Sequence, residues 1–86
     1  MTIYVGNINY GLSEIEIRKI FEVLGNVESI TLIRDKKTGK SKGFGFVVMN
    51  NDKEAMEAIN ALDGKTVAGR NLRVLKAHSI KERVSA

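Results

Sequence analysis

Hydrophobic positions along this chain recur at two periods, and the switches between them mark its elements. Thr2–Val5 is short, rich in β-formers and ends at Gly6-Asn7, which predicts a strand. Ile8–Leu12 is a connection with a backbone turn at Gly11. Ser13 with Glu16 three residues on is a capping box, so a helix starts here. Its apolar stripe is Ile17, Ile20, Phe21 and Leu24, with Ile15 and Val23 at the margin, and Gly25-Asn26 is the stop. Val27–Ile33 returns to alternation as a second strand. The stretch Asp35–Ser41, with Thr38-Gly39 in its middle, is a turn into a third strand at Lys42–Met49, so these two strands form a hairpin with a lengthened, basic loop. Asn51 or Asp52 caps a second helix with Ala55, Ala58, Ile59 and Leu62 inside, closed by Asp63-Gly64. Lys65–Gly69 is a loop or small hairpin, and Asn71–Ala77 is the last strand.

The order is βαββαβ, two βαβ halves joined by a hairpin. Right-handed crossovers put both helices on one face of a single antiparallel sheet, a ferredoxin-like α+β two-layer sandwich. Residues 1–77 form this domain. Residues 78–86 are a short tail with weak helical spacing at Ile80 and Val84, which suggests a helical turn over the sheet.

Strand phase then separates two faces. Ile3 and Val5, Ile30 and Leu32, Gly43 with Gly45 and Val47, and Leu72 with Val74 make one apolar set for the helices to cover, with the glycines allowing a helix to approach closely. The other set is Tyr4, Thr31, Ile33, Lys42, Phe44, Phe46, Arg73 and Leu75. No third long helix is available to bury it. A strand serving only a core would turn Phe44 and Phe46 inward; here they share a face with Lys42. Flat rings beside cations suit single-stranded nucleic acid, whose bases stack and whose phosphates need positive charge.

Eighty-six residues allow one core. The chain has no cysteine, so neither disulfides nor cysteine-ligated zinc are open to it. No apolar run approaches the ~20 residues of a membrane span, and the chain reads as cytoplasmic and without a membrane partner. Fourteen basic and ten acidic residues leave +4, unevenly spread. Arg34–Lys42 carries a net +4 and the stretch from Lys65 onward +5, whereas Asp52–Asp63 carries −3. Two basic patches suit a polyanion, although solvated surface lysines account for charge alone equally well.

Ile3-Tyr4-Val5-Gly6-Asn7-Ile8 resembles the shorter ribonucleoprotein motif of the RNA-recognition-motif family. Lys42–Met49 resembles the longer one, matching at seven of eight positions, with Met49 where an aromatic is usual. The separation of the two motifs also fits, and the resemblance spans about residues 2–77, closest to small single-domain bacterial members. It implies the strand order 4-1-3-2. It implies that Tyr4 and Phe44 stack on bases or sugars, that Phe46 inserts against a ribose or second base, and that Lys42 pairs with a phosphate. Met49 shares its phase with Gly43 and Val47 and is read as core.

Arg73 flanks the rings on the same face. Candidates for reading base edges at the sheet rim are Asn7, Arg70, Asn71, Lys76, Ala77 and His78, and Lys36, Lys37 and Lys40 would position the backbone electrostatically. Each of these has a plainer reading: the three loop lysines as solubility charges, Asn7 as a backbone partner at a strand end. Tyr10 is read as packing over an edge of the core. His78, the sole histidine, has no metal or acid–base company.

The leading expectation is therefore a monomeric single-stranded RNA-binding protein, a post-transcriptional regulator or RNA chaperone without cofactor or catalysis. The rivals are a protein-interaction module on the same fold, disfavoured by the three aromatics, and single-stranded DNA binding, because stacking and charge do not register the 2′-OH. Acylphosphatases share the element order, but Asn7–Gly11 provides neither their phosphate loop nor an arginine.

Overall fold

The computed structural model describes residues 1–77. Ser13 caps the first helix as its spacing requires: its side chain accepts from the Glu16 amide, and α1 runs Glu14–Glu22. Asn51 does the same for α2, Asp52–Leu62, accepting from the Glu54 amide at 2.9 Å. The strands are β1 (Thr2–Gly6), β2 (Ser29–Arg34), β3 (Ser41–Val48), β4 (Thr66–Val67), β5 (Arg70–Asn71) and β6 (Arg73–Lys76). Of the two alternatives for Lys65–Gly69, the small hairpin is the one that forms: short β4 and β5 pair, with Ala68-Gly69 at the tip, both at positive φ.

The main sheet has the order β2-β3-β1-β6, antiparallel throughout. Read from the last strand, this is the 4-1-3-2 arrangement expected from the resemblance. Ile3, Val5, Leu32, Val47 and Val74 of the sheet share one buried cluster with Ile17 and Phe21 of α1 and Ala55, Ala58 and Leu62 of α2. Both helices therefore cover the same face. Met49 is fully buried in this cluster, as its phase requires.

Several boundaries differ from the sequence reading. Helix α1 ends at Glu22, three residues before Gly25, because the chain must turn tightly to reach β2: Asn26 N–H is already bonded to the Glu54 carboxylate of α2. The last strand is shorter than Asn71–Ala77. Asn71 belongs to the small hairpin, and the Leu72 amide bonds back to the Lys65 carbonyl. Ile8, read as connection, is fully buried, and its amide donates to the Gly43 carbonyl at 2.8 Å.

The glycine-rich stretch of β3 works differently from expectation. A Cβ on Gly45 would meet the carbonyl oxygen of Thr31 and lie 3.1 Å from Leu32 Cα; one on Gly43 would meet the Tyr10 ring and the Ile8 carbonyl. These glycines admit a neighbouring strand and a connection, not a helix. The ladder between β2 and β3 is irregular next to them: Ile33 alone separates Leu32 from Arg34, while Lys42, Gly43 and Phe44 separate their partners Gly45 and Ser41, so β3 bulges at Gly43, where φ is 86°.

Both edge strands have an outward amide closed by an acidic side chain. Leu32 N–H donates to Glu14 at 2.9 Å and Val74 N–H to Asp63 at 3.0 Å. A filled edge donor is not available to another strand, so each edge is closed at this one position. None of the described helices is long and apolar enough to cross a membrane.

Candidate functional site

Strand pairing assembles the site row by row. Thr31, Phe46, Tyr4 and Leu75 lie side by side across β2, β3, β1 and β6 on the face away from the helices. Phe44 lies in the next row, which contains Gly6 opposite Arg73. Tyr4, Phe44 and Phe46 are half-buried and form a triangle of rings. Tyr4 and Phe44 are 6.1 Å apart and 31° from parallel. Phe46 stands edge-on to both, 5.9 Å from Tyr4 at 65° and 6.5 Å from Phe44 at 88°. Two rings of similar orientation with a third across them offer two stacking seats and one upright wall.

Gly6 sets the attitude of Tyr4. It belongs to the outer row, yet it is buried, because the Tyr4 ring lies along the strand on top of it. A Cβ on Gly6 would fall 2.8 Å from the ring's Cε1 and Cζ. With no side chain beneath it, the ring lies down and turns its other face outward. Sequence reasoning missed this role; the signal was a small residue two places after an outward aromatic.

The basic residues are not scattered around this face. Arg34 pairs with Ser41 at the root of the β2–β3 hairpin, and Lys36, Lys37, Lys40 and Lys42 follow it, all exposed. Arg73 lies opposite Gly6 and Arg70 sits in the small hairpin at the same end. The hairpin loop is shaped by Asp35, whose carboxylate accepts from the Lys37 and Thr38 amides at 2.8 and 3.2 Å. Those amides, with a smaller contribution from the Lys42 charge, hold its carboxyl below the usual carboxylate value. The loop therefore keeps these hydrogen bonds until the pH falls through that lowered value. One end of the sheet is thus a positive pole with the rings beside it.

Two candidates do not join this pole. Lys76 pairs with Ile3 at the far end and shares the phase of Val74, and Ala77 bonds through its amide to the Thr2 carbonyl there. His78 and the expected helical turn of residues 78–86 lie outside the described residues. Asn7 follows Gly6 with φ 55°, a left-handed conformation that asparagine tolerates better than most residues. Its amide donates to the Asn71 carbonyl at 2.8 Å and its oxygen accepts from Arg70 Nη1 at 3.1 Å. Replacement of Asn7 by alanine is expected to cost about 1–2 kcal/mol, mostly through the backbone, and glycine should recover most of it. Urea denaturation of the two variants checks this.

Tyr10 is not packed over the core edge. It is 62% exposed, its ring lies against Gly43, and the Arg70 guanidinium carbon is 5.3 Å from its centroid.

Comparison with known proteins bears on the fold and the family. The sequence profile described as RNA recognition motif matches residues 3–73. The protein RbpA of Synechocystis sp. is 46% identical over 77 residues, covering 90% of this chain and 76% of its own length. The crystal structure of RNA Binding Protein PG1 superposes with a TM-score of 0.89 at 40% identity, covering 92% of this chain and 95% of that one. A Sex-lethal protein/RNA complex superposes at 0.87 with 28% identity, covering 91% and 47%.

Proposed function

The chain belongs to the RNA recognition motif family, and from that premise we propose that its open sheet face holds single-stranded RNA. In this reading Tyr4 and Phe44 each seat a base, Phe46 stands against a sugar or second base, and Lys42 and Arg73 take phosphates beside them. The observation that carries it is the ring triangle on a face that no helix among the described residues covers, next to a pole of Arg34, Lys36, Lys37, Lys40 and Lys42. An exposed apolar patch rimmed by charge is a surface built for a partner. The Sex-lethal complex with RNA, on the same fold, supports RNA as that partner.

Magnitudes fit a modest binder. Stacking contributes roughly 1–3 kcal/mol per base, so two or three bases with a few phosphates correspond to about micromolar affinity or weaker at moderate salt. Such a module acts by occupying RNA, as a post-transcriptional regulator or chaperone, and needs no reacting group. The reading extends to a cytoplasmic monomer, on the cysteine-free composition and the one filled amide on each sheet edge.

The test is binding to randomised single-stranded RNA and DNA pools at several salt concentrations. RNA is expected to bind more tightly than DNA, and equal affinity would favour the DNA alternative. Replacing Lys36, Lys37 and Lys40 by alanine should flatten the salt dependence by about 0.7 in log–log slope for each phosphate no longer neutralised. An unchanged slope would make those lysines solubility charges.

A further inference from the structure

At the positive pole, one guanidinium ties together connections far apart in sequence. Arg70 Nη1 donates to Asn7 Oδ1, while its planar head sits 5.3 Å from the Tyr10 centroid. Tyr10 is backed by Gly43, where even a Cβ would come within 2.8 Å of the ring. Asn9 Nδ2 bonds to the Ala68 carbonyl at 2.9 Å and fastens the same two connections a second time.

These contacts restrain two different motions. The aromatic face favours one plane for the guanidinium, and the Asn7 bond fixes its rotation within that plane. Nη1 lies on the Cδ side of the head. The bond to Asn7 therefore leaves the opposite edge, Nε–H beside Nη2–H, without a partner among the described residues. Two parallel donors in a set plane match two coplanar acceptors, and O6 with N7 of guanine is the base edge that offers them. A tetrahedral phosphate needs no pre-set plane, and the exposed Lys36, Lys37, Lys40 and Lys42 already serve it. Asn7 directly follows Gly6, over which Tyr4 lies, so Arg70 waits at the end of the ring platform.

We propose that Arg70, held by Tyr10 and Asn7, reads the O6/N7 edge of a guanine adjoining the base seated on Tyr4, with Tyr10 as a positioning residue. The inference rests on the sheet-face reading above. It is tested with three short uridine tracts, carrying one guanosine, one 7-deazaguanosine, or neither. Wild type should prefer the guanosine tract by about tenfold, and 7-deazaguanosine, lacking the N7 acceptor, should lose most of that preference.

Arg70→Lys keeps the charge but not the fork and should abolish the preference. Tyr10→Leu should weaken it, and Tyr10→Phe, which retains the ring, should restore it. Both positions are exposed, so circular dichroism should register no change in fold. The proposal is overturned if wild type shows no preference, if the preference survives Arg70→Lys, or if that variant weakens all three tracts equally, which would make Arg70 a phosphate contact. Failure of the underlying reading looks different: Phe44→Ala with Phe46→Ala would then bind every tract as well as wild type.

Discussion

Alanine at both Phe44 and Phe46 is expected to lower affinity for short single-stranded RNA by about 100-fold or more, on a domain that remains folded. Each missing stack removes roughly 1–3 kcal/mol, and about 1.4 kcal/mol is a factor of ten. The low end for two rings is about 30-fold and the middle of the range exceeds 100-fold, and Tyr4 is also deprived of both ring neighbours, 6.1 and 5.9 Å away. The fold should survive because neither ring belongs to the buried cluster under the helices. What stability is given up comes from the ring–ring contacts, about 0.5–1.5 kcal/mol each beyond area. All three contacts go, and at ~4–8 °C per kcal/mol for a domain of this size the melting midpoint should fall by about ten degrees or more while the transition remains cooperative. Fluorescence anisotropy with labelled RNA and thermal circular dichroism, run on the same samples, decide the matter. A variant that binds like wild type removes the rings from the function.

Why the rings were legible from sequence, and their support was not, has a physical cause. Period two places Tyr4, Phe44 and Phe46 on one face whatever else the chain does, and the capping residues Ser13 and Asn51 act within one turn of where they stand. Such features are local. The Tyr10–Arg70–Asn7 cluster joins positions 60 or more residues apart, through polar contacts that no periodicity announces. The same holds for Glu14 on Leu32 and Asp63 on Val74, where a surface acid looks the same whether it faces water or a strand edge. Glycines were the most misleading residues. Their absence of a side chain says that something comes close, and only the structure says that at Gly45 it is β2 and at Gly6 a tyrosine from its own strand.

Gly45→Ala is accordingly expected to destabilise the domain by about 3 kcal/mol, the upper part of the usual range for overpacking. Gly45 sits in the middle of the sheet, opposite Val5 on one side and Leu32 on the other. The atoms an added methyl would meet are backbone: the Thr31 carbonyl and Leu32 Cα, the latter 3.1 Å away. A side chain in the way could change rotamer; this segment cannot, because Leu32 N–H is bonded to Glu14 on its outer side and β3 lies on its inner side. Relief requires β2 to shift as a unit, which would break the Glu14 bond and displace Leu32 from the core. Gly39→Ala is the useful contrast. It has a positive φ of 73° but nothing within 4 Å, so its cost should be the backbone term alone, about 1–2 kcal/mol. Thermal and urea unfolding should therefore rank wild type above Gly39→Ala and Gly39→Ala above Gly45→Ala, with RNA affinity per folded molecule little changed in Gly39→Ala. Equal losses at the two positions would mean that conformational freedom, not the approach of β2, is what glycine supplies in the central strand.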